Sequence, residues 1–294
     1  MSIVFQVVVA VFVFGLLIFI HELGHFTVGK LSGMRVNEFA LGMGPAIWST
    51  QRGETKYALR ALPIGGYVAV EGEDEDRSDP RAYCNVRLWK RILFVCAGAL
   101  MNLLLGFVIG WVLCKLLTIL CAAMDRRKTN RFFKAAQIFG AAAMSFMHGA
   151  QDGQKFIGVL FLGMAFCNGQ PSVTGVMIPI WLMILCSTIM GVGTSVGGER
   201  IIKSVGQDMV KLEKYQGFSA DLSSALCLLV MTVLGIPVST THTKTSAIMG
   251  VGAVRRLSAI NFGVVRDMML TWVFTFPGCG LISFVMAKLF MVVF

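Results

Sequence analysis

Residues 92–124 read "ILFVCAGALMNLLLGFVIGWVLCKLLTILCAAM", an apolar run interrupted by one charge, Lys115. A helix rises about 1.5 Å per residue, so roughly 20 residues cross the hydrocarbon core of a bilayer. This run is too long for one upright span and too short for two with a turn. Basic residues flank both ends: Arg87, Lys90 and Arg91 before it, and Arg126, Arg127, Lys128, Arg131 and Lys134 after it. A helix crossing once leaves one of these clusters on the side away from the cytoplasm, against the usual bias of basic loops. The residues on either side of the run therefore have to be read separately.

Composition sets the environment. Hydrophobic residues make up 56% of the 294 positions and charged residues only 14%, where soluble domains carry about 25% charge. Further uncharged stretches occupy 156–198, 222–243 and 268–287, the first long enough for two crossings. Residues 1–20 are apolar too, but the first basic residue is Lys30 and no small-residue cleavage site comes after them, so a retained span is expected rather than a removed leader. The net charge of +10 gathers in the polar connections, as expected of loops facing anionic lipid. No basic patch is interleaved with aromatics on a soluble domain, which argues against nucleic acid as a partner. The eight cysteines have no CxxC spacing and sit mostly in apolar runs, as small buried hydrophobes do.

Before the dividing run, residues 21–25 are "HELGH". On a helix the imidazoles of His21 and His25 share one face and can hold Zn²⁺, with Glu22 placed to take a proton from a metal-bound water. The plain alternative is a chance match, but ionisable residues at the end of a membrane span are costly unless used. "VNEFALGMGPAIWS", "ETKYALRALPIGGYVAVEGEDEDRSDP" and "NVRLWKRILFVCAGALMNLLLG" come next, in that order. Across about residues 1–110 this resembles the site-2 protease family of intramembrane zinc metalloproteases. The resemblance implies His21 and His25 as metal ligands, Glu22 as general base, and a β-structure around Gly65-Gly66-Tyr67 near the active site. Alternation of Tyr57, Leu59 and Ala61 with Lys56 and Arg60 agrees with a strand there, whose edge could pair with an extended membrane-protein substrate. Asn102 falls in the family's Gly-Pro-x-x-Asn motif, with Ala99 in place of the proline. The family's third ligand, the Asp of a later Leu-Asp-Gly motif, has no counterpart downstream, so the zinc site is expected to be partial.

After the run, the sequence belongs to another pattern. "FFKAAQIFGAAAMSFMHGAQDGQKFIGV" (132–159), "GVGTSVGGERIIKSVGQDMVKLEKYQGFSADLSSA" (191–225) and "LGIPVSTTHTKTSAIMGVGAVRRLSAINFGVVRDMMLTWVFTFP" (234–277) resemble, in order, the C-terminal repeat of the inorganic phosphate transporter family of sodium- or proton-coupled symporters. The residues suit an anion carrier. Asp152 and Gln154 adjoin a long uncharged region, where a carboxylate is expensive unless it binds Na⁺ or cycles a proton. Gly191, Gly193, Gly197 and Gly198 around Thr194 and Ser195, and Pro237 before Ser239, Thr240 and Thr241, predict broken helices whose freed amides and hydroxyls hold phosphate. The structural alternative is a glycine-rich helix whose hydroxyls bond back to their own carbonyls. His148 and His242 read equally as core hydrogen-bonders. That family builds its site between two inverted repeats, and "GAQDGQK" has no copy upstream of residue 130. A homo-oligomer, in which a second chain supplies the missing half, is the corresponding expectation.

The reading is a multi-pass protein of a bacterial inner membrane. It is all-α, with about six or seven membrane segments, some discontinuous, and a short membrane-associated β-element near residues 50–72. Residues 1–112 form the site-2-protease-like part and 113–294 the transporter-like part. Its expected cofactors are zinc at a partial site and Na⁺ or H⁺ as coupling ion. Its expected partners are the bilayer, inorganic phosphate and a membrane-protein substrate. Two alternatives stay open: a transporter with a divergent start, and a working intramembrane zinc endopeptidase.

Overall fold

A computed structural model describes residues 3–73, 78–122, 124–167, 178–233, 235 and 238–293. The chain is mostly helical with one small sheet. Helix α1 (Ile3–Leu31) leads into strands β1 (Val36–Arg52) and β2 (Thr55–Val70). Six further helices succeed them: α2 (Leu88–Leu120), α3 (Arg126–Cys167), α4 (Ile180–Lys203), α5 (Lys214–Val233), α6 (Thr240–Ala253) and α7 (Phe262–Val293). Among the described residues, Leu88–Leu120, Ile180–Gly198, Lys214–Val233 and Phe262–Met291 are long and apolar enough to cross a membrane. The multi-pass, mainly helical reading holds.

The dividing run resolves into one unbroken helix. The 33 residues of α2 span about 50 Å at 1.5 Å per residue, more than the roughly 30 Å of a bilayer's hydrocarbon core. The boundary expected between 112 and 113 lies inside it. Its two ends serve the two parts of the chain. The first half packs on α1, where Gly24 comes close to the Ala97 carbonyl: a Cβ there would lie 2.7 Å from it. The second half packs on α6. Gly106 faces Thr243 and Ser246, Gly110 faces Ala247, and Gly250 of α6 sits against the Phe107 carbonyl with no room for a side chain. The Ser246 hydroxyl donates to the Leu103 carbonyl. Small residues on both helices let the backbones approach closely, the usual basis of helix association in lipid. Buried Cys114 of α2 joins Met209, Ile248 and Val251 in one apolar cluster, and Leu105 joins Cys227 and Met231 in another. Ile20 of α1 packs against the second cluster, so α2 joins the segments before and after the run.

Two expectations about local structure are corrected. The β-element begins at Val36, not near residue 50, because "VNEFALGMGPAIWS" is itself a strand. Gly42, Gly44 and Gly65 adopt positive φ, which bends the pair so that Phe39 has partners at both Tyr57 and Val68. Those glycines and Pro45 hide the strand in the sequence. The glycines at 191–198 do not break a helix either. Helix α4 runs through them, with Thr194 Oγ1 donating to the Met190 carbonyl and Ser195 Oγ to the Gly191 carbonyl, both at 2.8 Å. The irregularity falls just after, in a π-helical turn at Ser204–Asp208. A break does occur between α5 and α6, where Pro237 is expected to force it; Pro237 itself lies outside the described residues.

Candidate functional site

Two constellations carry chemistry. In the first, α1 and α2 cross where Gly98 leaves space. A Cβ on Gly98 would collide with Nε2 of both His21 and His25, so the two nitrogens face a common point. The other ring nitrogens are committed. His25 Nδ1 donates to the Phe94 carbonyl at 2.8 Å, and His21 Nδ1 donates to Asn102 Oδ1 at 3.2 Å. Those bonds fix the tautomer that leaves both Nε2 lone pairs free, the arrangement of metal-binding histidines. Asn102, 1% exposed, is buried where it orients His21. Glu22 turns toward the sheet: a Cβ on Gly66 would lie 3.1 Å from its Cγ, so glycine at 66 lets β2 approach. Among the described residues no three His, Cys, Asp or Glu side chains gather to hold a metal ion. Zinc takes four ligands in structural sites and at least three from protein in catalytic ones, so two imidazoles fit only a partial site.

The second constellation lies where α3 and α4 meet the start of α6. An open cleft of about 540 Å³ is lined by Asp152, His148, Thr194, Thr241 and apolar residues of α3 and α4. Asp152 is held on several sides. Lys155 Nζ lies 3.0 Å from Oδ1, Thr240 Oγ1 donates to Oδ2 at 3.0 Å, and His148 Nε2 is 3.5 Å from Oδ2. Lys155 also donates to the Val238 carbonyl at 2.5 Å, tying α3 to the chain entering α6. Ser239 caps α6, its hydroxyl accepting from the His242 amide at 3.4 Å. Behind the cleft, Thr232 donates to Gln151 Oε1 at 2.5 Å. The arrangement sets a carboxylate, a lysine and a helix N-terminus with threonine hydroxyls beside one another, which can hold a cation and an anion together.

The expected residues divide accordingly. Asp152, Thr194 and Thr241 line the cleft, with Thr240 bonded to Asp152 and Ser239 capping. Gln154 and Ser195 are exposed and do not line it. Both positions result from unbroken helices, since residues one or two places from an inward-facing residue point elsewhere. Sequence reasoning misses Lys155 and leaves His148 open as a core hydrogen-bonder, although their i+3 and i−4 spacing from Asp152 announces them. It also misses a second pair: Lys244 of α6 bonds Asp221 of α5, whose side chain is 11% exposed. The available sign is two charges bracketing an uncharged stretch, each costly there without the other.

The chain matches the model of the phosphate transporter family over residues 2–283. It is 36% identical over 189 residues to a probable low-affinity inorganic phosphate transporter of Bacillus subtilis, covering 64% of this chain and 56% of that one. A second of the same description, from Rhizobium meliloti, is 35% identical over 196 residues, 67% of this chain and 58% of the relative. A Clostridium acetobutylicum protein bearing the name of a zinc metalloprotease is 49% identical over 105 residues, 36% of this chain and 31% of that protein. The chain therefore spans little more than half the length of the transporters it matches. Among solved structures, the sodium-dependent phosphate transporter shares the fold, with a TM-score of 0.55 at 23% identity over 66% of this chain and 65% of that one.

Proposed function

This chain belongs to the phosphate transporter family, and from that premise we propose that residues 113–294 form half of a cation-coupled inorganic phosphate symporter site, fused to a partial intramembrane zinc metalloprotease segment at 1–112. The observation that carries the transporter reading is the convergence of Asp152, Thr194 and Thr241 on one cleft at the start of α6. Asp152 exchanges its Lys155 and Thr240 partners for Na⁺ or a proton. The α6 N-terminus and the hydroxyls of Ser239, Thr240, Thr241 and Thr194 receive phosphate by hydrogen bonds, without a buried arginine. Gln154 and Ser195 face outward and take part only against a second copy of the chain, which supplies the other half. What supports the fusion is the match of 105 residues to the Clostridium acetobutylicum protein named as a zinc metalloprotease; the family model itself runs over residues 2–283.

Equilibrium binding of radiolabelled phosphate to the full chain tests this reading. Saturable binding that needs Na⁺ or low pH, and that Asp152→Asn weakens about tenfold or more, is the expected result. Binding indifferent to Asp152 would refute it.

The alternative, a zinc endopeptidase acting on membrane proteins, is favoured by the tautomer-fixing bonds of His21 and His25. Zinc would there polarise a peptide carbonyl and generate hydroxide, with Glu22 as base. Two imidazoles alone fall short of the three protein ligands that such chemistry needs. Elemental analysis separates the readings: stoichiometric zinc surviving chelation supports the peptidase, while loosely held metal supports the partial site.

A further inference from the structure

Helices α2 and α6 run in parallel, Gly106 beside Thr243 and Gly110 beside Ala247. That register brings Lys115 level with the end of α6. Lys115 is the one charge in the apolar run of α2, so the membrane boundary passes here, about 20 Å along α6 from its N-terminal threonines. At this level the short segment 253–261 lines two cavities. The first, about 450 Å³, is the charged one, with Lys211, Arg255, Arg256, Ser258, Asn261 and Asp208 in its wall. Arg255 is paired with Glu213 at 2.5 Å. Lys211 and Arg256 have no ion pair among the described residues, and Asp208 is the acid opposing them. A positive charge remains in excess. The second cavity, about 310 Å³, is apolar, walled by Phe107, Val108, Trp111, Ala253 and Leu257. Leu257 lies between Arg256 and Ser258 in sequence, so the basic and the apolar hollow share one edge.

We propose that the two hollows form one binding site for an anionic phospholipid. Lys211 and Arg256 hold the phosphodiester, and one acyl chain lies along Phe107, Val108 and Trp111 of α2. A free phosphate would need only the basic hollow. The apolar one beside it, the exposed Leu257 and Phe262, and a tryptophan at the boundary all favour a molecule with a charged head and an apolar tail. Basic pockets between membrane helices suit such headgroups in the cytoplasmic leaflet, where the positive bias of the 200–214 and 255–266 loops orients this end. The site is separate from the Asp152 cleft, which lies at the opposite end of α6.

Native mass spectrometry of the full chain, delipidated and then exposed to equal phosphatidylglycerol and phosphatidylcholine of the same chain length, reads the site directly. The expected result is retained phosphatidylglycerol in excess over phosphatidylcholine. The double variant Lys211→Gln/Arg256→Gln should lower its affinity about thirtyfold, while Arg266→Gln, which removes an exposed charge paired with Asp267 at the same end, leaves it unchanged. Thermal melting alongside checks that the double variant is folded. Equal retention of the two lipids, or an unaltered double variant that melts like the parent, would overturn the assignment. So would displacement of the lipid by millimolar inorganic phosphate, which would give the basic hollow to a free anion.

Discussion

The crossing of α1 with α2 and the meeting of α3 with α6 solve opposite halves of the same problem. At Gly98, two neutral donors are aligned and their tautomers fixed, yet among the described residues no carboxylate arrives to complete a coordination shell. At the start of α6 a carboxylate is in place, and the protein itself supplies its counter-charge through Lys155. The first pairs two imidazoles with no third His, Cys, Asp or Glu among the described residues. The second answers its carboxylate from within the protein, through Lys155. Completeness in a membrane site thus depends less on which residues are present than on whether their charge is already answered, because an unanswered charge in low dielectric is costly.

The sharpest way to break the comparison is to separate the helices that join the two sites. Gly250→Ala would drive a Cβ into the Phe107 carbonyl. We expect a loss of about 3 kcal/mol from overpacking against backbone, read as a fall in melting temperature in detergent, with phosphate and metal binding lost together. Next in size, Asp152→Asn removes the charge that Lys155 and Thr240 answer. Phosphate affinity should fall tenfold to roughly a hundredfold, with Co²⁺ binding by spectrophotometry unchanged. The converse, Gly98→Ala, fills the point faced by both Nε2 atoms. It should weaken Co²⁺ binding about tenfold or more and leave phosphate affinity within about twofold of the parent.

The smallest effect is at the sheet. The Arg81 guanidinium, and after it the Lys30 ammonium, hold the Glu54 carboxyl below the usual carboxylate range. A lowered folded pKa means that its contribution is present above the ordinary value near about 4.3 and is lost as pH falls through the lowered one. Protection of the amides at the turn between β1 and β2, taken relative to their intrinsic exchange, should therefore fall in the parent as pH drops below the ordinary carboxylate value. In Glu54→Gln that protection should be slightly lower and should not change over the same range. Both sides of the pair are partly exposed, so the difference stays small.

Much of this is legible in the sequence, and the failures have physical causes. HELGH declares its helix and its shared face. Asp152, Thr194 and Thr241 are recognisable from motifs that lie far apart in the chain and meet in one cleft. Gln154 is misleading because adjacency in a motif is not adjacency on a helix. The glycines of α4 suggest a break, but Thr194 and Ser195 keep their hydroxyls on the turn before, and the helix continues. Least legible is the contact of α2 with α6, since the basic clusters at both ends of α2 and the change of resemblance along it point to a seam. Gly106, Gly110 and Gly250 instead lock the two parts face to face, and a stripe of small residues says nothing of its partner until the fold brings them together.

Phosphate uptake into liposomes carrying the full chain tests the central claim most directly, that the working centre is the Asp152 cleft and that the imidazole pair is not required for it. The account predicts uptake driven by a Na⁺ or proton gradient, abolished by Asp152→Asn and untouched by zinc chelation or Gly98→Ala. Uptake no greater than that of empty vesicles, or uptake that disappears when zinc is removed, would contradict it.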